Sequence, residues 1–206
     1  MRNLVAHVCR MAALLLTITW AGFATSSEWE TQFDEGGVRV ETRDVAGSDY
    51  KAFRAQALIA ATPDEVLARL QDVERYPDWF PDTLEARRLE LGGDRWANYV
   101  RTDAPWPLKD RDAVYTQKLT RTVQGIQITV GVAPDTVPES KDAVRIRAAA
   151  GLWELVAADG GTALHWEFHV EPGGNIPSGL ANARVIETPK RALQSLKNYF
   201  ANNTEL

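Results

Sequence analysis

The sequence holds one cysteine, Cys9, among 206 residues, so no disulfide can form within the chain. Histidine is nearly as scarce, with His7, His165 and His169 the only three. His165 and His169 stand on one strand-like segment, about 13 Å apart at strand spacing, so one ion could take at most a neighbouring pair. Glu167 lies between them on the same face. No three-histidine zinc site is available, and neither a metal nor a cofactor is expected. An excess of basic charge is also missing. The 23 Lys and Arg against 28 Asp and Glu give a net charge of −5, which disfavours a nucleic-acid partner. No apolar run reaches the roughly 20 residues of a membrane-spanning helix. The sequence lacks a Gly-x-Ser-x-Gly elbow, a His-Glu-x-x-His pair and a phosphate loop. Carboxylates such as Asp72, Asp78 and Glu154 show no paired spacing for acid–base work. No Gly-, Ser- or Pro-rich linker and no repeat divides the chain, which reads as one domain after its N-terminus. What is present is ordinary globular composition, 45% hydrophobic and 25% charged.

The N-terminus has a different character. Arg2 and Arg10 precede a 14-residue apolar run from Met11 to Ala24, and small residues follow at Thr25, Ser26 and Ser27. Basic, then apolar, then small is the order of a secretory signal peptide. The expectation is a signal peptide over residues 1–24, a mature domain over 25–206, and a periplasmic or secreted location. Loss of Arg2 and Arg10 takes the net charge from −5 to −7. The mature chain then has no cysteine, and its core alone must hold it.

Hydrophobic periodicity sets out the elements. Alternation predicts strands at residues 38–43 and 52–59, the second with Phe53, Ala55, Ala57 and Ile59 on one face. Thr62-Pro63-Asp64-Glu65 predicts a helix start with a capping box and a proline in the first turn. Val66, Leu67, Leu70 and Val73 form its apolar stripe. Residues 75–81, with two prolines and three aromatics, predict a short helix and turn. Six strand-like segments follow, at 84–91, 95–102, 112–120, 125–132, 144–156 and 162–170. The short turns between them favour antiparallel hairpins. Residues 177–202 predict a long amphipathic helix with Ile186, Leu193, Leu196 and Phe200 on one face and a kink at Pro189. The fold class is α+β, a curved antiparallel sheet wrapped around a long C-terminal helix.

Two ordered motifs add to this layout. One is Pro105-Trp106-Pro107-Leu108-Lys109-Asp110-Arg111-Asp112-Ala113-Val114-Tyr115. The other is Glu171-Pro172-Gly173-Gly174-Asn175-Ile176-Pro177-Ser178. With Trp79 and Val144-Arg145, they make residues 28–203 resemble StAR-related lipid-transfer (START) domains, of the helix-grip fold shared with Bet v 1-like proteins. The resemblance implies a hydrophobic tunnel for one lipid or sterol-like molecule. It implies a gate formed by Pro105, Trp106, Pro107 and Leu108 together with Ile186, Pro189 and Leu193 of the last helix.

Strand alternation puts Trp96, Asn98 and Val100 on one face and Ala113, Tyr115 and Gln117 on another. Placing the Arg111-Asp112 pair as in the family turns both faces toward the tunnel. The ligand-binding residues so implied are Tyr76, Trp96, Asn98, Val100, Ala113, Tyr115, Gln117, Ala149 and Gly151. Asn98 and Gln117 either orient a ligand hydroxyl or carbonyl, or bond each other or water; the sequence leaves both open. Arg111 is read as structural, in an ion pair or packed under its loop. Val100, Ala113 and Ala149 stand where the phosphatidylcholine-carrying branch has an aromatic cage, and Tyr76 where it has a phosphate-binding arginine. A choline head group is therefore not expected. The expected function is non-catalytic lipid binding by a monomer with transient membrane contact. The alternative on the same fold is a polyketide cyclase or aromatase.

Overall fold

The computed structural model describes residues 28–92 and 95–203. Three strands open the domain: β1 (Glu30–Glu35), β2 (Val38–Arg43) and β3 (Ala52–Ile59). Two helices follow, α1 (Pro63–Gln71) and the single turn α2 (Tyr76–Trp79), with a 3-10 turn between them. The long meander comprises β4 (Thr83–Glu90), β5 (Arg95–Thr102), β6 (Asp110–Arg121), β7 (Ile126–Val132), β8 (Ala143–Arg145), β9 (Ala148–Ala158) and β10 (Gly161–Glu171). Helix α3 (Ser178–Asn203) closes the chain. The sheet order is β1-β2-β3-β10-β9-β7-β6-β5-β4, with β8 attached to β6. This curved antiparallel sheet and its C-terminal helix form the expected α+β helix-grip architecture.

Local chemistry accounts for the elements that frame the interior. Helix α1 begins as its capping box requires. The Thr62 amide donates to Glu65 at 2.7 Å, and the Glu65 amide donates to Thr62 Oγ1 at 3.4 Å. Those bonds from Thr62 hold the Glu65 carboxyl below its ordinary range. Val66, Leu67 and Leu70 on one face of α1 enter the core. There they join Val38 and Val40 of β2, Ala55 and Ile59 of β3, and Leu155 and Leu164 of β9 and β10. Helix α3 packs on β1, β2, β3 and α2. Its C-terminal half supplies the buried Ala192, Leu193 and Leu196.

Two features differ from the sequence reading. Strand β1 was not expected, because its ETQFDE run offers a single apolar residue, Phe33, and the strand is an exposed edge. The segment expected as one strand over 144–156 is two. Strand β8 pairs in parallel with β6, through Arg111↔Val144, before the chain leaves to pair with β7 and β10 as β9. Helix α3 is one element of 26 residues with Pro189 inside it, where the proline has no amide to donate to the Val185 carbonyl.

Candidate ligand cavity

Between the concave face of the sheet and the N-terminal half of α3 lies a cavity of about 270 Å³. Side chains alternate along a strand, so one face of each strand supplies the wall. Strand β5 contributes Asn98, Val100 and Thr102, and β6 contributes Arg111, Tyr115 and Gln117. Strand β10 adds Trp166, Phe168 and Val170, and β9 adds Trp153. Tyr76 and Phe80 close one side, Pro105 and Leu108 of the β5–β6 loop close another, and Ala181, Val185 and Thr188 of α3 form the roof.

The wall is strongly aromatic. Trp153 and Trp166 stack at 4.1 Å between ring centroids, and Phe53 meets Trp166 edge-on at 4.7 Å. Tyr115 meets Phe168 at 5.7 Å. The Tyr76 hydroxyl is tied to the Leu70 carbonyl at 2.6 Å, which turns the ring toward the cavity. Burial pushes the hydroxyls of Tyr76 and Tyr115 well above the ordinary tyrosine range, so both are neutral donors at physiological pH.

The polar lining is sparse and incompletely bonded. Asn98 is 1% exposed, and its Oδ1 has no hydrogen-bond partner among the described residues. Trp166 Nε1 is buried and equally unpartnered. Gln117 lies diagonal to Asn98 across the β5–β6 pair, because Asn98 faces Tyr115 and Trp96 faces Gln117. An oxygen without a donor inside an apolar wall is a site for a ligand hydroxyl or amide N–H.

Of the residues expected to contact ligand, Tyr76, Asn98, Val100, Tyr115 and Gln117 line the cavity. Trp96, Ala113, Ala149 and Gly151 are not among its lining residues. Trp96 shares the inward face of β5 but is buried at 2% exposure, with the Arg88 guanidinium over its ring. Ala113 is buried without reaching the space. Ala149 pairs with Val170 across the β9–β10 ladder, and Val170 lines the wall there. Gly151 is covered by Phe168, whose Cδ2 would lie 2.2 Å from a Cβ placed on the glycine. Of the gate residues, Pro105 and Leu108 line the cavity. Trp106 is 93% exposed and points away from it, beside a cis Trp106–Pro107 bond. Pro189 and Leu193 are buried, and Ile186 is half-buried one position past Val185, outside the lining. The cavity face of α3 includes Ala181, Arg184, Val185 and Thr188, rotated by one residue, about 100°, from the expected stripe.

Sequence reasoning missed Phe53, Phe80, Trp153, Trp166 and Phe168 as wall residues. Their signal was available. His165, Glu167 and His169 were placed on one face of β10, which leaves Trp166, Phe168 and Val170 on the other. The outward face is occupied by neighbours: Glu167 meets Arg43 at 2.9 Å, and His165 meets Gln56 at 3.3 Å. Among the described residues no group of three His, Cys, Asp or Glu is placed to hold a metal ion. Arg111 and Asp112 do not pair with each other. Asp112 takes Arg145 at 2.8 Å, and Arg111 turns to backbone carbonyls.

Comparison with known proteins settles the relationship. Residues 50–201 match the family described as polyketide cyclase / dehydrase and lipid transport. The chain belongs to that family. An uncharacterised protein of Pseudomonas aeruginosa is 33% identical over 195 residues, 93% of this chain and 96% of the relative. The crystal structure of a STAR-related lipid transfer protein fragment from Xanthomonas axonopodis superposes with a TM-score of 0.79 at 34% identity. It covers 84% of this chain and 98% of that one. Human StAR-related lipid transfer protein 5, at 18% identity and TM-score 0.72, shares the fold over 85% of this chain and 88% of its own. Family and fold thus support binding of a lipid or other hydrophobic ligand.

Proposed function

We propose that this family member is a non-catalytic carrier that holds one hydrophobic molecule in the cavity. The observation that carries the reading is the aromatic wall with a buried amide oxygen, Asn98 Oδ1, that has no partner among the described residues. Such a wall binds by burial, and Asn98 with Gln117 fixes the orientation through a ligand hydroxyl or amide. The volume of about 270 Å³ sits just under the ~300–1,000 Å³ of drug-sized pockets, and it favours one chain or ring system over two acyl chains. The family name also covers cyclases and dehydrases. The carrier is the better reading of the cavity, because its wall is mainly aromatic and aliphatic and Asp82, one of the two carboxylates in its lining, is held by Arg184 and Arg191.

The Trp106 loop and the N-terminal half of α3 serve as the gate, and Trp106 makes transient contact with a bilayer surface. The carrier is read as a monomer, and its export fits the basic-apolar-small pattern of residues 1–24, which lie outside the described residues. N-terminal sequencing from an exporting host should then begin near Thr25 or Ser27, and a product starting at Met1 counts against export. The deciding experiment is lipid extraction and mass spectrometry of the purified protein. One unchanged hydrophobic molecule per chain is expected. Recovery of a cyclised or dehydrated product from a supplied substrate overturns the non-catalytic reading.

A further inference from the structure

The two buried arginines near the start of β6 are held in opposite ways. Arg145 has a carboxylate, Asp112. Arg111, 7% exposed, has none: among the described residues no carboxylate lies within ion-pair distance of it. The carboxylate whose charge bears on it is Asp110, which already accepts two bonds from Arg101 at 2.8 and 2.6 Å. Arg111 is instead wrapped by main-chain oxygens. Its Nε donates to the Pro172 carbonyl at 3.3 Å, its Nη2 to the Gly173 carbonyl at 3.1 Å, and its Nη1 to the Lys109 carbonyl. The 172–174 turn presents two carbonyls to one guanidinium because Gly173 and Gly174 both sit at φ +65°. A guanidinium has five N–H donors, and these three bonds leave one on Nη1 and one on Nη2. Carbonyl dipoles hold the group in place but do not cancel its charge. Burial accordingly pushes Arg111 down from its ordinary value, although an arginine stays protonated throughout.

The position of this charge gives it a use. Arg111 lines the cavity at the end bounded by Leu108, Pro172 and Ile176. Gln117 is six residues further along the same face of β6, about 20 Å away at strand spacing. Between them the wall is Tyr115, Phe168 and Val100. The first turn of α3 also borders the Arg111 end and carries no acidic residue, so its helix dipole adds potential of the same sign. Lys51, Asp82, Asp103 and Arg184 also belong to the lining, and Lys51, Asp82 and Arg184 are engaged in ion pairs. The stretch of wall between Arg111 and Gln117 is apolar, with a cation that has no ion-pair partner among the described residues at one end and an unpartnered acceptor near the other.

We propose that Arg111 is the head-group site of the cavity and that the ligand is a single-chain amphiphile with an anionic oxygen head, its chain running toward Asn98 and Gln117. The proposal rests on the carrier reading and narrows it. Carboxylate and phosphate heads share the required chemistry, two oxygens against two N–H groups.

The test is a head-group series on the wild-type protein, followed by quenching of cavity tryptophan fluorescence. Palmitate, methyl palmitate and hexadecanol share one chain and differ in charge. Palmitate is expected to bind at least about tenfold tighter than the other two, as a charge-assisted pair does over a neutral one. In Arg111→Gln, palmitate should fall to the level of the ester while the ester is unchanged. If that variant does not fold, the wild-type series still decides. Lysophosphatidic acid with the same chain separates the sources. Tighter binding than palmitate assigns a phosphate head, and weaker binding assigns a carboxylate. Equal binding of all three palmitoyl compounds overturns the Arg111 site and leaves the carrier intact. Binding of none overturns both.

Discussion

Strand β6 buries polar groups on both of its faces, and the two faces finish the task differently. On the outer face, Asp112 accepts Arg145 Nε at 2.9 Å, Arg145 Nη2 at 2.8 Å and the Tyr99 hydroxyl at 3.3 Å. Arg145 spends its other donors on the carbonyls of Pro134, Val137 and Pro138. Burial, and then the Asp112 charge, pushes the Tyr99 hydroxyl up, so it remains a donor. That network is closed: each charge has its opposite and each donor an acceptor. On the inner face, one residue away, Arg111 has no ion-pair partner and Asn98 Oδ1 across the ladder has no donor among the described residues. The contrast separates polar groups that hold the sheet together from polar groups kept in reserve. A closed network ties β8 and the 134–138 segment to β6. An unfinished one facing a cavity has capacity for a ligand.

The largest effect should come from breaking the closed side. Asp112→Ala leaves the Arg145 guanidinium buried at 1% side-chain exposure without a counter-charge. Loss of one partner from a buried pair costs about 3–5 kcal/mol. Urea unfolding should record that loss, and a shift below about 1 kcal/mol would remove the structural role assigned to the outer face. A smaller effect is expected from Gly151→Ala on the neighbouring β9. The new Cβ would meet Phe168 Cδ2 at 2.2 Å and the Glu167 carbonyl oxygen at 2.8 Å. Overpacking of this kind costs about 1–3 kcal/mol. The displaced Phe168 ring has the cavity to move into, so ligand affinity should fall together with stability. Unchanged ligand affinity with lowered stability would show that the ring moves elsewhere.

How much of this could be read beforehand differs between fold and site. The helix-grip layout was legible because α1 carries a full capping box, β3 alternates along most of its length, and glycine turns separate the later strands. Edge strand β1 was not legible, since one apolar residue in six gives no period to read. The β8–β9 break was hidden because the run from Val144 to Val156 is continuously strand-like, and only pairing partners divide it. For the site, alternation grouped Asn98 with Val100 and Tyr115 with Gln117, and the resemblance to START domains turned those faces inward. It could not show that Phe168 covers Gly151, because that depends on the size of the facing side chain and not on period. The helical phase of α3 was also beyond it: apolar Ile186 and Val185 are adjacent, and tertiary packing alone decides which one faces the cavity. The partner of Asp112 was likewise open, since Arg111 and Arg145 are both chemically suitable.

Asn98→Leu tests the unfinished side and should do the opposite of Asp112→Ala. Removal of an unpartnered buried oxygen relieves its desolvation, so stability should stay level or rise by up to about 1 kcal/mol. Affinity for ligands carrying a terminal hydroxyl or amide N–H should fall, while affinity for their hydrocarbon analogues holds. A drop in stability comparable to that of Asp112→Ala would mean that Asn98 belongs to the architecture.

The smallest effect on stability is expected at Trp106, in the loop that leads into β6. Its indole is 93% exposed, between Pro105 and Pro107, while Leu108 of the same loop lines the cavity. An exposed side chain contributes little to the folded state, and Trp106→Ala should change unfolding free energy by no more than about 0.5 kcal/mol. A buried tryptophan would cost about 3–5 kcal/mol, so the two cases are well separated. Exposure of an apolar body with one polar N–H suits the water–bilayer interface. The net charge of −5 opposes attachment to anionic lipid, which leaves the contact brief, as a carrier requires. Transfer of a fluorescent single-chain lipid between vesicles should therefore slow severalfold in Trp106→Ala, while affinity for the same lipid in solution stays near that of the wild type. Those two readouts part if, as proposed, the indole meets the membrane and Leu108 meets the ligand. Equal transfer rates would take the loop out of the membrane step, and a parallel loss of solution affinity would place Trp106 over the cavity instead.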